Sequence, residues 1–442
     1  ADVTEEVAGS SFGKRRSGAS NEDVATIVDT LLAAKRPVIF IGHGVTLSEA
    51  SKELTAFAKR LNIPVISSPN GMGCINMSDP LSLGFIGRNG AYQANQAGRH
   101  ADVVLAIGES PTKVVEILLY GAFGYEEAWG YTLYYTTNFI FTGLAFAVAF
   151  HCGLFNIGAE GQAYVGGLGV ILTTLYLDFL PFPIMLIVVV LAAAIFGAAW
   201  SYIPAYLQAR RGSHVVITTI MFNFIASSLM VYLLVNVLRP QGSMTPESEQ
   251  IAEHLRLPFI HDIAAGLGLE MASSPLNLSF VYALVCSILV WLFIWHTRWG
   301  YAIRTVGANA VAATYAGIEP GRYIIMAMMI SGALSAFMAL NEVMGVQHRL
   351  LIDFTAGYGF VGIAVALMGR NHPFGIFLAA LLFGMLYQGG AELSFEIPTI
   401  SNDMVVVIQG LVILFTGAME HMFRPRVTRI YTAWHLRRRA QE

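Results

Sequence analysis

Residues 151–167 read HCGLFNIGAEGQAYVGG and lie within the longest apolar part of the chain. Asn156, Glu160 and Gln162 fall within seven positions of one another there. A carboxylate in hydrocarbon costs several kcal/mol, so Glu160 has to face the bundle interior, water or a partner. Gly158 and Gly161 loosen the helix around it. A helix broken at this point, with its freed backbone lining a cavity, suits the path of a polar solute. Glu160 then has two readings, a path residue that hydrogen-bonds solute and a structural bond to a neighbouring helix end.

Outward from this stretch, apolar runs recur near 131–150, 161–178, 182–204, 215–237, 276–297, 322–344, 355–369, 373–390 and 402–419. Twenty residues at 1.5 Å rise match a bilayer core of about 30 Å, so these are about nine transmembrane helices. The runs 355–369 and 373–390 are short and interrupted by glycine, which fits tilted or re-entrant segments. Charged residues make up only 12% of the 442 residues, about half the roughly 25% of an ordinary soluble protein. Arg210, Arg211, Arg298, Arg304, Arg322, Arg370 and the arginines of the tail fall on one side under this count, which makes that side cytoplasmic. The acidic stretches 238–275 and 391–403 fall on the other.

The deficit of charge is uneven. Residues 1–110 carry charges at ordinary density, as in EASKELTAFAKRLN (49–62). Residues 1–20 are a polar linker by composition, without the apolar run of a signal peptide and without an initiator Met, as in the middle of something longer. NEDVATIVDTLLAAK (21–35) and TLSEASKELTAFAKRLN (46–62) have helical periodicity, and PVIFIG (37–42), IPVISSP (63–69) and ADVVLAIGES (101–110) read as buried strands. Alternating strands and helices imply a parallel sheet, here a truncated α/β doubly wound soluble fragment. GHG (42–44) sits where nucleotides often bind, but three residues make a weak motif and a tight βα turn is the better reading of them. The expected order is linker 1–20, α/β fragment 21–110, transmembrane domain 111–425 and basic cytoplasmic tail 426–442.

RWGYAIRTVGANAVAATYAGIEPGR (298–322) is too polar to span. Its core NAVAATYAG reads as a short helix with Asn309 as N-cap, and Gly300, Gly307 and Gly317 allow turns around it. Asn223 lies on an apolar helix, as interhelical glue or as a solute contact. Asn341 and Glu342 lie near the outer end of the sixth span, within reach of interfacial water, and His151 and His348 also read as interfacial. Cys74, Cys152 and Cys286 have neither disulfide nor zinc spacing. No nucleophile–base pair, metal cluster or GxxxxGK[ST] phosphate loop occurs, so this chain does not hydrolyse ATP by that route.

Two resemblances join these observations. AAKRPVIFIGHGVTLSEASKELTAFAKRLNIPVISSPNGMG and the stretch through ADVVLAIG resemble the central domain of thiamine-diphosphate enzymes of the acetolactate-synthase type. That resemblance implies a doubly wound sheet without catalytic residues. The GDG stretch that holds magnesium and diphosphate in those enzymes is absent from this sequence. TGLAFAVAFHCGLFNIGAEGQ (142–162), RRGSHVVITTIMFNFIA (210–226), WGYAIRTVGANAVAATYAGI (299–318) and SGALSAFMALNEVMG (331–345) resemble permease subunits of ABC importers in the simple-sugar and nucleoside group. The long outward loop 238–275 is more like the nucleoside type.

The permease resemblance implies a multi-pass protein of the bacterial inner membrane that moves nucleosides or simple sugars. It implies a separate ABC ATPase that uses the ATP, a second permease subunit, an external solute-binding lipoprotein, no cofactor of its own and no nucleic-acid partner. By position, Gly300, Arg304, Gly307, Asn309, Ala316 and Gly317 form or frame the contact with the ATPase. Asn156, Glu160, Gln162, Asn223 and Glu342 are the candidates for the solute path. The family normally has another apolar span before GAFG (121–124), whereas here PTKVVEILLY follows the enzyme-like stretch. Nine spans with a cytoplasmic tail also leave residue 130 outside. A lost first span or a junction of two genes accounts for both. The alternatives to a permease are a fragment of a thiamine-diphosphate enzyme and a non-functional chimera of the two.

Overall fold

The computed structural model describes residues 21–396 apart from 43–44, 46–47, 69–70, 87–89, 108–110 and 270, together with 406–407 and 410–411. The expected linker, most of the ninth expected span, the basic tail and two residues of GHG lie outside the described residues. The chain divides into two compact units, Ala1–Glu116 and Ile117–Glu442.

In the first unit, α1 (Asn21–Ala33), β1 (Pro37–Ile41), α2 (Ser51–Leu61), β2 (Val65–Ser67), β3 (Ser82–Phe85), α3 (Tyr92–His100) and β4 (Val103–Ile107) follow in order. The sheet is parallel with order β3-β2-β1-β4, and Ile39 pairs with both Val65 and Leu105. Successive strand residues face opposite sides. Ile39 and Ile41 pack with Leu31, Leu54 and Ala58, whereas Val38 and Ile66 pack with Ala94. Both faces of the sheet are therefore covered, which is why PVIFI is a continuous apolar run rather than an alternating one. β3 and α3 carry too short and too mixed a pattern to be read from sequence. The expected helix 46–62 is described as α2 from Ser51, after Glu49 with its left-handed φ of 55°, while residues 46 and 47 lie outside the described residues.

The second unit is helical. Its elements are α4 (Pro111–Phe123, which crosses the boundary), α5 (Glu126–His151), α6 (Ala159–Tyr176), α7 (Phe182–Arg211), α8 (Val215–Asn236), α9 (Ile260–Gly266), α10 (Ser279–His296), α11 (Arg298–Ala308), α12 (Ala310–Tyr315), α13 (Pro320–Ala336), a π-helix (Leu340–Gln347), α14 (Tyr358–Met368) and α15 (Pro373–Glu396). The first eight expected spans each coincide with a helix. Among the described residues, six segments are long and apolar enough to cross a membrane by length and composition: α5, α7, α8, α10, the α13–π segment and Pro373–Phe395 of α15. The expectation that 373–390 is short is corrected, because α15 runs on through Leu393 and Ser394 to Glu396. The segment 355–369 does contain a short helix, and the 11 residues of α14 reach only about 16 Å.

Burial ranks the helices. In α5, 83% of the apolar window is buried, against 22% in α7 and 28% in α8 and α10. Thus α5 is the axis of the bundle, and the other three turn apolar faces outward. On α7, Ile184, Ile187, Leu191 and Ile195 lie exposed at helical spacing, a stripe fit for lipid and unfit for water. Together these features define a multi-pass α-helical membrane protein.

Helices α7 and α13 meet through Gly197 and Gly332, where a Cβ on either residue would run into the other's carbonyl oxygen. Small residues allow this close approach, on which helix association in lipid depends. Gly332→Leu should lower the melting temperature of the detergent-solubilised chain, with an overpacking cost of about 1–3 kcal/mol. Gly266→Ala, where nothing beyond the adjoining backbone lies within 4 Å of the added methyl, should not lower it.

Candidate functional site in the helix bundle

The stretch that breaks the run is residues 152–158, between α5 and α6. Gly153 takes a φ of 75° there, and Cys152 closes α5. The polar groups around the break are all engaged. Asn156 Nδ2 donates to Ser331 Oγ at 2.9 Å and to Gln162 Oε1 at 3.2 Å, while its Oδ1 accepts from Gly158 N at 2.8 Å. Ser331 Oγ donates to the carbonyl of Ala145 at 2.6 Å, and Ser335 Oγ donates to Gln162 Oε1 at 3.3 Å. Asn223 Oδ1 accepts from Gly161 N, and its Nδ2 donates to Ile157 O, both at 2.9 Å. One side chain on α8 therefore satisfies an orphan donor of the first turn of α6 and an orphan acceptor of the break.

Glu160 faces the start of α14. Its Oε1 accepts from Thr355 Oγ1 at 2.5 Å and from Gly357 N at 3.0 Å, and its Oε2 accepts from Gly359 N at 2.8 Å. The two backbone donors bracket Tyr358, and Gly357 is the N-cap of α14 with φ 77°. A carboxylate at a helix N-terminus meets unsatisfied N–H groups and the positive end of the helix dipole. These three donors explain how Glu160 is tolerated inside an apolar bundle.

Glu342 forms a second centre. The expectation that Glu342 and Asn341 reach interfacial water is corrected, because both are buried, at 2% and 1% exposure. Tyr134 Oη and Asn138 Nδ2 each donate to Glu342 Oε1 at 2.6 Å. Asn341 Nδ2 donates to Asn138 Oδ1 at 2.8 Å, and Asn341 Oδ1 accepts from Asn277 Nδ2 at 2.9 Å and from Ser279 Oγ at 2.8 Å. The residues sit on the π-helix, whose wider turn aims two consecutive polar side chains into the core. Sequence reading takes the run as a plain α-helical end, since nothing in LNEVMGVQ marks a change of helix type.

An aromatic cluster lies beside this centre. Tyr135, Tyr358 and Tyr387 have ring centroids 5.6–6.3 Å apart, and Phe139 packs against the last two. The sequence reading missed these tyrosines. Tyr135 and Tyr387 lie on different helices, and their only sequence signal is a hydroxyl-bearing ring on an otherwise apolar span.

The loop 298–322 holds two helices rather than one. Asn309 separates them and caps α12, its Oδ1 accepting from Ala312 N at 3.0 Å. Gly300 and Gly307 do not make turns but lie within α11, and only Gly317 is a turn residue, with φ 77°. A Cβ on Gly307 would meet the carbonyl of His151 and the backbone at Gly153, so α11 rests directly on the break. Arg304 is half-buried on the same helix, whereas Ala316 and Gly317 are exposed. His151, expected to be interfacial, is partly buried and has Nε2 3.0 Å from the carbonyl of Asn371. His348 is likewise half-buried.

The chain belongs to the family described as the permease component of the branched-chain amino acid transport system, whose model matches residues 129–417. The guanosine ABC transporter permease protein NupP of Bacillus subtilis (strain 168) is 34% identical over 317 residues, covering 72% of this chain and 88% of that protein. The glucose ABC transporter permease protein TsgB13 of Haloferax volcanii is 32% identical, over 65% of this chain and 75% of that protein. Residues 24–122 match the central domain of thiamine pyrophosphate enzymes. There the acetolactate synthase large subunit of Haemophilus influenzae is 44% identical over 78 residues, 18% of this chain and only 14% of that enzyme. No solved structure matches the chain.

Glu160→Gln turns one acceptor oxygen into a donor that faces N–H or O–H groups. It should destabilise the solubilised chain by about 1–3 kcal/mol, and Glu160→Ala, which leaves all three donors unpaired, should do so by more. Thermal unfolding in detergent checks the order, and equal stability of the three proteins would contradict it.

Proposed function

We propose that this chain is the membrane-spanning subunit of an ATP-driven importer for nucleosides or simple sugars in a bacterial inner membrane. The observation that carries the reading is the similarity to ABC permeases over 72% of the chain, on a bundle whose polar residues gather around α5. A separate ABC ATPase supplies the energy, a second permease subunit completes the path and an external lipoprotein delivers solute. Asn156, Glu160, Gln162, Asn223 and Glu342 shape the path more than they touch solute, since each is engaged with protein partners.

In this reading, Gly300, Arg304, Gly307, Asn309, Ala316 and Gly317 frame the contact with the ATPase. The lodging of Gly307 against the break supports the transfer of movement from that contact into the bundle. A switch of this kind needs two states that the ATPase contacts differently. The chain acts as a transport subunit and not as an enzyme, with residues 21–110 contributing no chemistry or cofactor. The small share of an acetolactate synthase that it spans supports this.

An impermeant maleimide should label Met244→Cys, at a fully exposed position, from outside intact cells. Ala308→Cys should react only after permeabilisation, and the opposite pattern would overturn the topology. Gly307→Ala should reduce solute taken up per ATP hydrolysed by about fivefold or more, the scale of a weak allosteric coupling. Parallel uptake and ATPase assays on the assembled complex check this.

A further inference from the structure

We infer that Tyr135, Tyr358 and Tyr387 form a contact site in the bundle for the planar base of a nucleoside, an inference that rests on the importer reading above. A buried tyrosine ordinarily gives its hydroxyl a protein partner. Other tyrosines of this chain do so: Tyr134 donates to Glu342 at 2.6 Å, Tyr164 to Asp353 at 2.5 Å and Tyr125 to Glu392 at 3.2 Å. Among the described residues, the hydroxyls of Tyr135, Tyr358 and Tyr387 have no such partner, nor are they among the buried unpartnered atoms. Their hydroxyls therefore open onto accessible space, even though the Tyr358 residue is only 7% exposed. A purely structural cluster does not need this arrangement.

The rings also leave parts of their faces uncovered by one another. The three pairs are tilted or edge-on, at 43°, 69° and 61°, so the rings do not cover one another face to face. Phe139 packs edge-on against Tyr358 and Tyr387, at 5.5 and 5.0 Å. Tyr358 is held on both sides, because Glu160 accepts from the backbone N–H groups of Gly357 and Gly359. Glu160 is thus a positioning residue for this ring.

The chemistry of the lining selects the ligand class. Glu160 takes three donors and Glu342 takes two, so both carboxylates are already engaged. The free polar groups here are too few to match every hydroxyl of a sugar ring lodged among these rings, and an unmatched polar group is costly to bury, so the cluster takes the base and leaves the ribose outside it. A nucleobase buries its faces against rings and asks only for a few polar contacts at its edge, which the tyrosine hydroxyls can make.

The test uses cells that express the full chain with its ATPase and solute-binding partners, and follows labelled guanosine and labelled glucose. Tyr135→Leu and Tyr387→Leu should raise the KM for guanosine about tenfold or more, the scale of losing one base–aromatic stack. Tyr387→Phe, which keeps the ring and loses only the hydroxyl, should raise it by less than Tyr387→Leu does. Guanosine should also slow alkylation of Tyr387→Cys by a small thiol reagent, a readout that does not depend on the leucine variants folding. An unchanged KM in both leucine variants, or no protection by guanosine, overturns the site. Wild-type uptake of glucose without guanosine overturns the site and leaves the importer reading standing. Uptake of neither by the wild type overturns that reading and the site with it.

Discussion

The rest of the bundle depends on the contact between the Glu160 carboxylate and the first turn of α14. A carboxylate in an apolar core is stable only when its acceptors are filled, and a helix start inside such a core is stable only when its N–H groups are filled. Glu160 and the Thr355–Gly359 stretch solve both problems at once, through bonds of 2.5, 3.0 and 2.8 Å. The contact fixes where α6 begins relative to α14, and so where the chain can break between α5 and α6.

Around this contact the same rule repeats. Asn223 closes the first turn of α6, Asn156 and Gln162 bind each other and the serines of α13, and Glu342 gathers Tyr134 and Asn138 from α5. Each polar residue joins at least two elements, so the polar groups hold the helices in register while the apolar faces of α7, α8 and α10 point outward. Packing through Gly197 and Gly332 brings the helices close enough for these short side chains to reach. The tyrosine cluster differs from this network, because its hydroxyls are left free of it.

The first unit obeys a different physics. Its sheet buries both faces under helices, as a water-soluble α/β unit does, and Asp102 ties β4 to the start of β1 through the backbone N–H groups of Lys35 and Arg36. Its likeness to the central domain of thiamine pyrophosphate enzymes covers residues 24–122, while the permease family covers 129–417. The two likenesses abut with only a few residues between them.

Much of the architecture was legible in the sequence, because both patterns depend only on local chemistry. Apolar runs of membrane-spanning length mark helices wherever they occur, and PVIFI or VVLAI between amphipathic helices marks a parallel strand. The same chemistry made Glu160 and Asn156 conspicuous, since polar residues in an apolar run stand out without any knowledge of their neighbours. Their partners did not stand out. Thr355, Ser331 and Asn223 lie tens to hundreds of positions away, and Glu342 looked interfacial until the π-turn carried it inward. The sequence alone determined that buried polar groups had to be satisfied. The tertiary structure decided which groups satisfied them and which tyrosines stayed free, because hydrogen bonding depends on distances that only the packing of the helices sets.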